Sequence, residues 1–141
     1  MLNNGVNIFE PDSLGEAPIH SAIEQYNFET VKFLLEKGCD PDQYNDEEKE
    51  LPLHMAIRKN LEIVELLIKY GADLNFIASY VGSPLHMAIT KKNSLAMKLL
   101  IDSGANSEIR DTENCTPIEY GLDTGNISAV NMLLFHKHCL P

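Results

Sequence analysis

No stretch of the sequence approaches the roughly 18 consecutive apolar residues that a membrane-spanning helix requires. The opening MLNNGVNIFE has neither the basic start nor the apolar centre of a secretory leader. Both absences point to a cytoplasmic or nuclear protein. Cysteine is scarce: Cys39, Cys115 and Cys139 form no CxxC pair and leave an odd number, which speaks against a disulfide framework and for reduced thiols packed as small side chains. Positive charge is also in short supply. Lys and Arg number 11 against 21 Asp and Glu, giving a formal charge of −10, so the chain repels a phosphate backbone and no nucleic acid is expected as a direct partner. The signatures of hydrolases, phosphate loops and dinucleotide sites (HExxH, GxSxG, GxxxxGK, GxGxxG after a strand) do not occur. Neither an enzyme nor a cofactor is expected.

What the sequence does contain is a repeat. The strings APIH, LPLH, SPLH and TPIE begin at 17, 51, 83 and 116, in steps of 34, 32 and 33. A second series, VKFLLEKG, VELLIKYG, MKLLIDSG and VNMLLFHK, ends at Gly38, Gly71, Gly104 and Lys137, in steps of 33 each time. Two landmarks that hold one mean period cannot come from composition alone. The local mismatch places one extra residue before LPLH and one fewer between the helices of the second unit.

Each landmark has a mechanical meaning. Pro18, Pro52, Pro84 and Pro117 fit the first turn of a helix, where a missing N–H costs nothing. Ser83 and Thr116 precede two of them as N-caps, and Thr116 with Glu119 has capping-box spacing. Ala17 and Leu51 cannot cap, so the first helices of units one and two are expected to fray more readily. Ala22, Ala56, Ala88 and Gly121 are small enough for close helix packing. Each second helix carries apolar residues at helical spacing, as in Val64, Leu67 and Ile68 or Met97, Leu100 and Ile101. Gly38, Gly71 and Gly104 suit a left-handed C-cap. About a dozen polar, turn-prone residues follow each, predicting a protruding hairpin.

The xPLHxA opening, a second helix ending as in LIKYGAD (67–73) and the 33-residue period resemble ankyrin repeats over essentially the whole chain. The resemblance implies an all-α solenoid of helix-turn-helix pairs with protruding hairpin loops: four repeats plus an N-terminal half-repeat, in one domain, 1–141. Residues 1–16 are the tail of a partial repeat, followed by repeats 17–49, 50–82, 83–115 and a terminal 116–141. Gly15 matches the family's hairpin glycine. Val81 and Asn114 replace it later; Asn tolerates a left-handed backbone and Val does not, so Gly82 is expected to take over that turn.

The resemblance also implies function: a protein-interaction module that binds through a concave surface of hairpin tips and first helices. His20, His54 and His86 recur at one repeat position and, on the family's pattern, are structural, tying hairpin and helix backbone together. His136, His138 and Cys139 are spaced for a metal but form a partial set, so no metal site is expected. Asp42, Asp46, Glu47, Glu48 and Glu50 read as a solvated acidic loop. The partner-binding candidates are Tyr44, Arg58, Lys59, Ile77, Tyr80, Lys91 and Arg110. Tyr80, Ile77 and Tyr44 are aromatic or branched anchors at hairpin positions, and Arg58, Lys59 and Lys91 are a basic flank steering a partner with an acidic or mixed-charge surface. For Phe76 and Ile77, packing between hairpins is an equal alternative. Asn75 sits in a pattern resembling asparaginyl-hydroxylase substrates, although the same pattern is the ankyrin consensus. Met132, Leu134 and Phe135 leave the last repeat apolar, which implies a further repeat, self-association or a partner at that end. A scaffold segment of a longer array and an inhibitor of Rel-type transcription factors are the alternative functions.

Overall fold

The computed structural model describes residues 9–139. Among them are eight helices and no strand: α1 (Pro18–Glu24), α2 (Phe28–Glu36), α3 (Pro52–Lys59), α4 (Leu61–Lys69), α5 (Pro84–Thr90), α6 (Ser94–Asp102), α7 (Pro117–Asp123) and α8 (Ile127–Cys139). They form the four helix pairs of an ankyrin-type solenoid. None of the described helices is long and apolar enough to cross a membrane.

Contacts divide the chain into two compact units, one ending at Ala72 and the other beginning at Asp73. The same arrangement builds both. In the first, α1 packs on α2 and α3, and α4 on α2 and α3; in the second, α5 packs on α6 and α7, and α8 on α6 and α7. First helices therefore lie against first helices, and second against second. The core of the first unit includes Ile19, Ile23, Leu53, Met55, Ile63 and Leu67; that of the second includes Leu85, Met87, Ile89, Met97, Leu100 and Leu133. Ala22, Ala56 and Ala88 are buried at the contacts that require small residues. A Cβ on Gly121 would stand 3.0 Å from Val130 Cγ2, so α7 and α8 approach more closely there than a larger side chain permits.

Prolines open all four first helices, with Ala17, Leu51, Ser83 and Thr116 as N-caps. Thr116 and Glu119 close a reciprocal box, the Thr116 amide donating to Glu119 Oε2 (2.8 Å) and the Glu119 amide to Thr116 Oγ1 (3.3 Å). The second helices share a cap that the proline and glycine landmarks do not reveal. Asn27, Asn60, Asn93 and Asn126 stand 33 residues apart, and each Oδ1 accepts the amide N–H three residues on, at 3.0–3.2 Å. In the second pair Asn60 is both the C-cap of α3 and the N-cap of α4. That double use is how the unit manages with one residue fewer. The other three pairs insert a left-handed residue before the Asn: Tyr26, Lys92 and Gly125.

Gly38, Gly71 and Gly104 end the second helices at φ of 98°, 86° and 97°. Since no atom lies within 4 Å of a Cβ added at Gly71, the cost of a side chain there is the backbone strain alone. Gly71→Ala is expected to lower stability by about 1–2 kcal/mol, and Asn60→Ala by about 1 kcal/mol, both measured by denaturant unfolding. A neutral result at Gly71 would mean that the left-handed turn is not required.

Candidate functional site

The hairpins between repeats are locked by a second polar series at the same period. Asp12, Asn45 and Asp111 each turn Oδ1 onto backbone amides of their own tip: Leu14 and Glu16, Glu47 and Glu48, Glu113 and Cys115, at 2.8–3.1 Å. Such side-chain turns replace backbone hydrogen bonds that an irregular loop lacks. The corresponding residue of the third hairpin is Ala78, which is buried and has no oxygen to offer. That hairpin closes by backbone alone, Ala78 N–H to Gly82 O (2.9 Å) and Gly82 N–H to Ala78 O (3.0 Å), with Gly82 left-handed at φ 75° as expected.

The unlocked hairpin presents Tyr80, 85% exposed. Ile77 beside it is half-buried, and Tyr44 on the hairpin of the first unit is half-buried too. Tyr80 borders a groove of about 180 Å³ whose walls are Ser79, Val81 and Gly82 on one hairpin, Asp111, Thr112 and Glu113 on the next, and Tyr120 of α7. The two hairpins are joined by Thr112 Oγ1 donating to Ser79 O (3.4 Å) and by the Asn106 amide donating to Asn75 Oδ1 (2.8 Å). Asn75 is exposed, its own amide donating to Asp73 Oδ1, so its side chain holds neighbouring hairpins together.

The expected basic flank needs correction. Arg58 does not face outward as a free cation: its guanidinium grips Glu50 in a bidentate pair, Nη1 to Oε2 at 2.8 Å and Nη2 to Oε1. Glu50 in turn is not part of a solvated acidic loop. It is 2% exposed, paired through Asn45 across the hairpin base, and burial pushes its carboxyl above the usual range against the opposing pull of Arg58. Lys59 reaches Glu24 (3.0 Å) and lies over the Tyr26 ring, and Arg110 donates to Asn114 O (2.7 Å) and Glu119. Of the four cationic candidates Lys91 alone is exposed with no ion pair among the described residues. The extra residue of the second hairpin falls between Asn45 and the Leu51 cap, whereas Lys49, left-handed at φ 60°, stands two residues before its cap as the left-handed Gly15 and Asn114 do in theirs.

The recurring histidines are structural where their partners are described. His20 Nδ1 accepts the Ala17 amide (2.9 Å), which places the proton on Nε2, and Nε2 donates to Gln43 O on the following hairpin (2.7 Å). This reach-back supplies at Ala17 half of the box that alanine cannot make. His86 repeats it: Nδ1 accepts from the Ser83 amide (3.2 Å) and hydroxyl (2.7 Å), and Nε2 donates to Cys115 O (3.0 Å). Burial holds both imidazoles below the ordinary histidine range. Among the described residues no group of three or more His, Cys, Asp or Glu is placed to hold a metal. His136 lines an apolar groove with Ile101, Met132 and Phe135, whereas the His138 and Cys139 side chains lie outside the described residues. At that end Leu122 is 57% and Phe135 72% exposed, although Ile89, the counterpart of Leu122, is buried.

A family model described as ankyrin repeats in three copies matches residues 1–78, and a single ankyrin-repeat model matches 83–112. The chain is 30% identical over 129 residues to human transient receptor potential cation channel subfamily A member 1, covering 90% of this chain and 11% of that protein. It is 30% identical over 118 residues to human SH3 and multiple ankyrin repeat domains protein 2, covering 82% and 6%. To the probable 26S proteasome regulatory subunit p28 of Saccharomyces cerevisiae it is 30% identical over 131 residues, covering 89% and 58%. The chain thus spans less than two thirds of the length of each of these relatives.

Two outcomes follow from the buried polar groups. Arg58→Ala leaves a buried carboxylate unpaired and is expected to cost about 3 kcal/mol. Because the Glu50 pKa is raised, its protonation relieves that cost, so the difference from wild type should shrink as pH falls; a constant difference in denaturant unfolding would place Glu50 in solvent. For His20 and His86 the sign is opposite. Their folded-state pKa values lie below the unfolded value near 6.5, so the unfolded chain takes up protons first. The stability they contribute is present above about pH 6.5 and is lost as pH falls through the folded-state values. NMR titration should find both as Nε2–H tautomers titrating below free histidine.

Proposed function

The chain belongs to the ankyrin-repeat family, and on that premise we propose that it docks a protein partner through hairpin tips and first-helix ends, with the third hairpin at the centre. Ankyrin repeats are protein-interaction modules and not catalytic units. The observation that carries the reading is Tyr80. A large aromatic side chain stands 85% exposed on the one described hairpin whose polar lock is replaced by alanine. A local rule that three hairpins obey and one breaks sets the third hairpin apart from its neighbours, and the side chain it exposes is the candidate anchor. Aromatic residues dominate binding energy because they bury much area at little entropic cost. Ile77 supplies apolar surface beside Tyr80, and Lys91 and Arg110 belong to the same compact unit. In the other unit Tyr44 is the corresponding anchor; Arg58 and Lys59 shape that surface while paired to acids of their own chain.

A second reading, a structural segment within a larger assembly, is favoured by the apolar side chains Leu122, Leu134 and Phe135 on the last helix pair. In it, that face is covered by another protein surface.

Affinity capture with the wild-type chain, followed by binding measurements on the proteins retained, tests the first reading. Tyr80→Ala should lose about 2 kcal/mol of affinity, roughly thirtyfold, with helicity and unfolding midpoint unchanged. Retained affinity would move the interface away from this hairpin, and loss of folding would show Tyr80 to be a packing residue.

A further inference from the structure

We propose that the groove between the third and fourth hairpins is a receptor for a guanidinium or ammonium side chain, so that the partner presents a basic, extended segment. This rests on the third hairpin being the docking centre and names the chemistry that it receives.

All charge in the groove has one sign. Its walls carry Asp111 and Glu113 and no Lys or Arg, and the nearest cation along the chain, Arg110, is already turned onto Asn114 O and Glu119. The decisive atom is Asp111 Oδ2. The Asp111 side chain is nine-tenths buried, and its Oδ1 is consumed by the amides of Glu113 and Cys115. Oδ2 accepts no hydrogen bond among the described residues. It stands 3.9 Å from His86 Nε2, but that nitrogen gives its proton to Cys115 O, and the buried imidazole is neutral. A carboxylate oxygen on a largely buried side chain, supplied with no donor by its own chain, gains from any donor that reaches it through the groove.

The surroundings shape what that donor is. Gly82 forms part of the floor, and a Cβ there would stand 3.0 Å from His86 and 3.1 Å from Asp111, so only glycine leaves the approach to the acid open. The Tyr80 and Tyr120 rings border the same space, and cations bind favourably over aromatic faces. Tyr120 is held by its hydroxyl against Thr90 Oγ1 (2.9 Å) and edge-on to His86. At about 180 Å³ the groove is smaller than the roughly 300–1,000 Å³ of small-molecule sites. It fits a single long side chain between two hairpins. The chain's overall charge of −10 draws a basic segment to it and repels an acidic one.

The test uses the full chain and a fluorescein-labelled hexapeptide of alternating arginine and glycine, with its citrulline counterpart as the uncharged control. Fluorescence polarisation at low ionic strength should show the arginine peptide binding on the order of tenfold more tightly than the citrulline peptide. Asp111→Asn keeps an Oδ1 to lock the hairpin while removing the charge, and should abolish that preference with an unchanged unfolding midpoint. Glu62→Gln, in the other compact unit, should leave the preference intact. Equal binding of the two peptides, or an arginine preference that persists in Asp111→Asn, overturns the proposal. If Tyr80→Ala weakens a captured partner while Asp111→Asn does not, the hairpin remains the docking centre and only its cation specificity falls. If both arginine preference and Asp111 dependence hold but Tyr80→Ala has no effect on the partner, the docking reading fails instead.

Discussion

A helix of seven residues has more unpaired backbone groups than paired ones, because the first four N–H and last four C=O groups have no partner within it. Three of the first helices here are that short, and three of the second helices have nine residues. Their ends, more than their middles, determine whether they form. Proline at the first position removes one orphan donor, an asparagine before each second helix accepts another, and a left-handed glycine turns the chain back onto the last carbonyls. The buried histidines belong to this same economy. His20 and His86 each accept a stranded amide at the start of their own helix and donate to a carbonyl of the next hairpin. One ring thus closes a helix and holds a loop.

That role also explains why the imidazoles are poor candidates for acid–base or metal chemistry. Both nitrogens are spent on backbone, the tautomer is fixed by them, and a second proton would displace an amide that has nowhere else to go. Reactivity on this scaffold has to come from side chains that capping does not consume. In the second unit, Tyr80, Glu113 and one oxygen of Asp111 meet that description at the same groove.

Much of the fold was legible because its requirements are local. Proline, glycine, Ser83 and the Thr116–Glu119 pair act within three or four residues, so their spacing names the helix starts and stops directly. Gly82 taking the turn from Val81 was legible for the same reason: a branched side chain is strained at positive φ. The surface was harder to read. Glu50 looked like one more acid in a hydrated loop because its partner, Arg58, lies eight residues on and across a helix start, and only the fold brings guanidinium and carboxylate together. Lys59 looked free for a similar reason, its acid Glu24 lying in the preceding repeat. The asparagine caps and the Asp12, Asn45 and Asp111 locks were visible as 33-residue series, yet asparagine and aspartate are so common in loops that their phase is easily passed over. Ala78 carries information only once that series is recognised, since an alanine is conspicuous only where an acid or amide is otherwise the rule.

The second hairpin holds one residue more than its neighbours, taken up between Asn45 and Leu51, and the Asn60 cap nevertheless falls on the 33-residue grid. Insertion at the tip and deletion between the helices cancel, so the rhythm of the helix pairs is insulated from the length of the loops that they carry. Loop length and helix spacing are thus separate variables on this scaffold: the payload at a tip differs by a residue, while the chassis of caps and core keeps its rhythm.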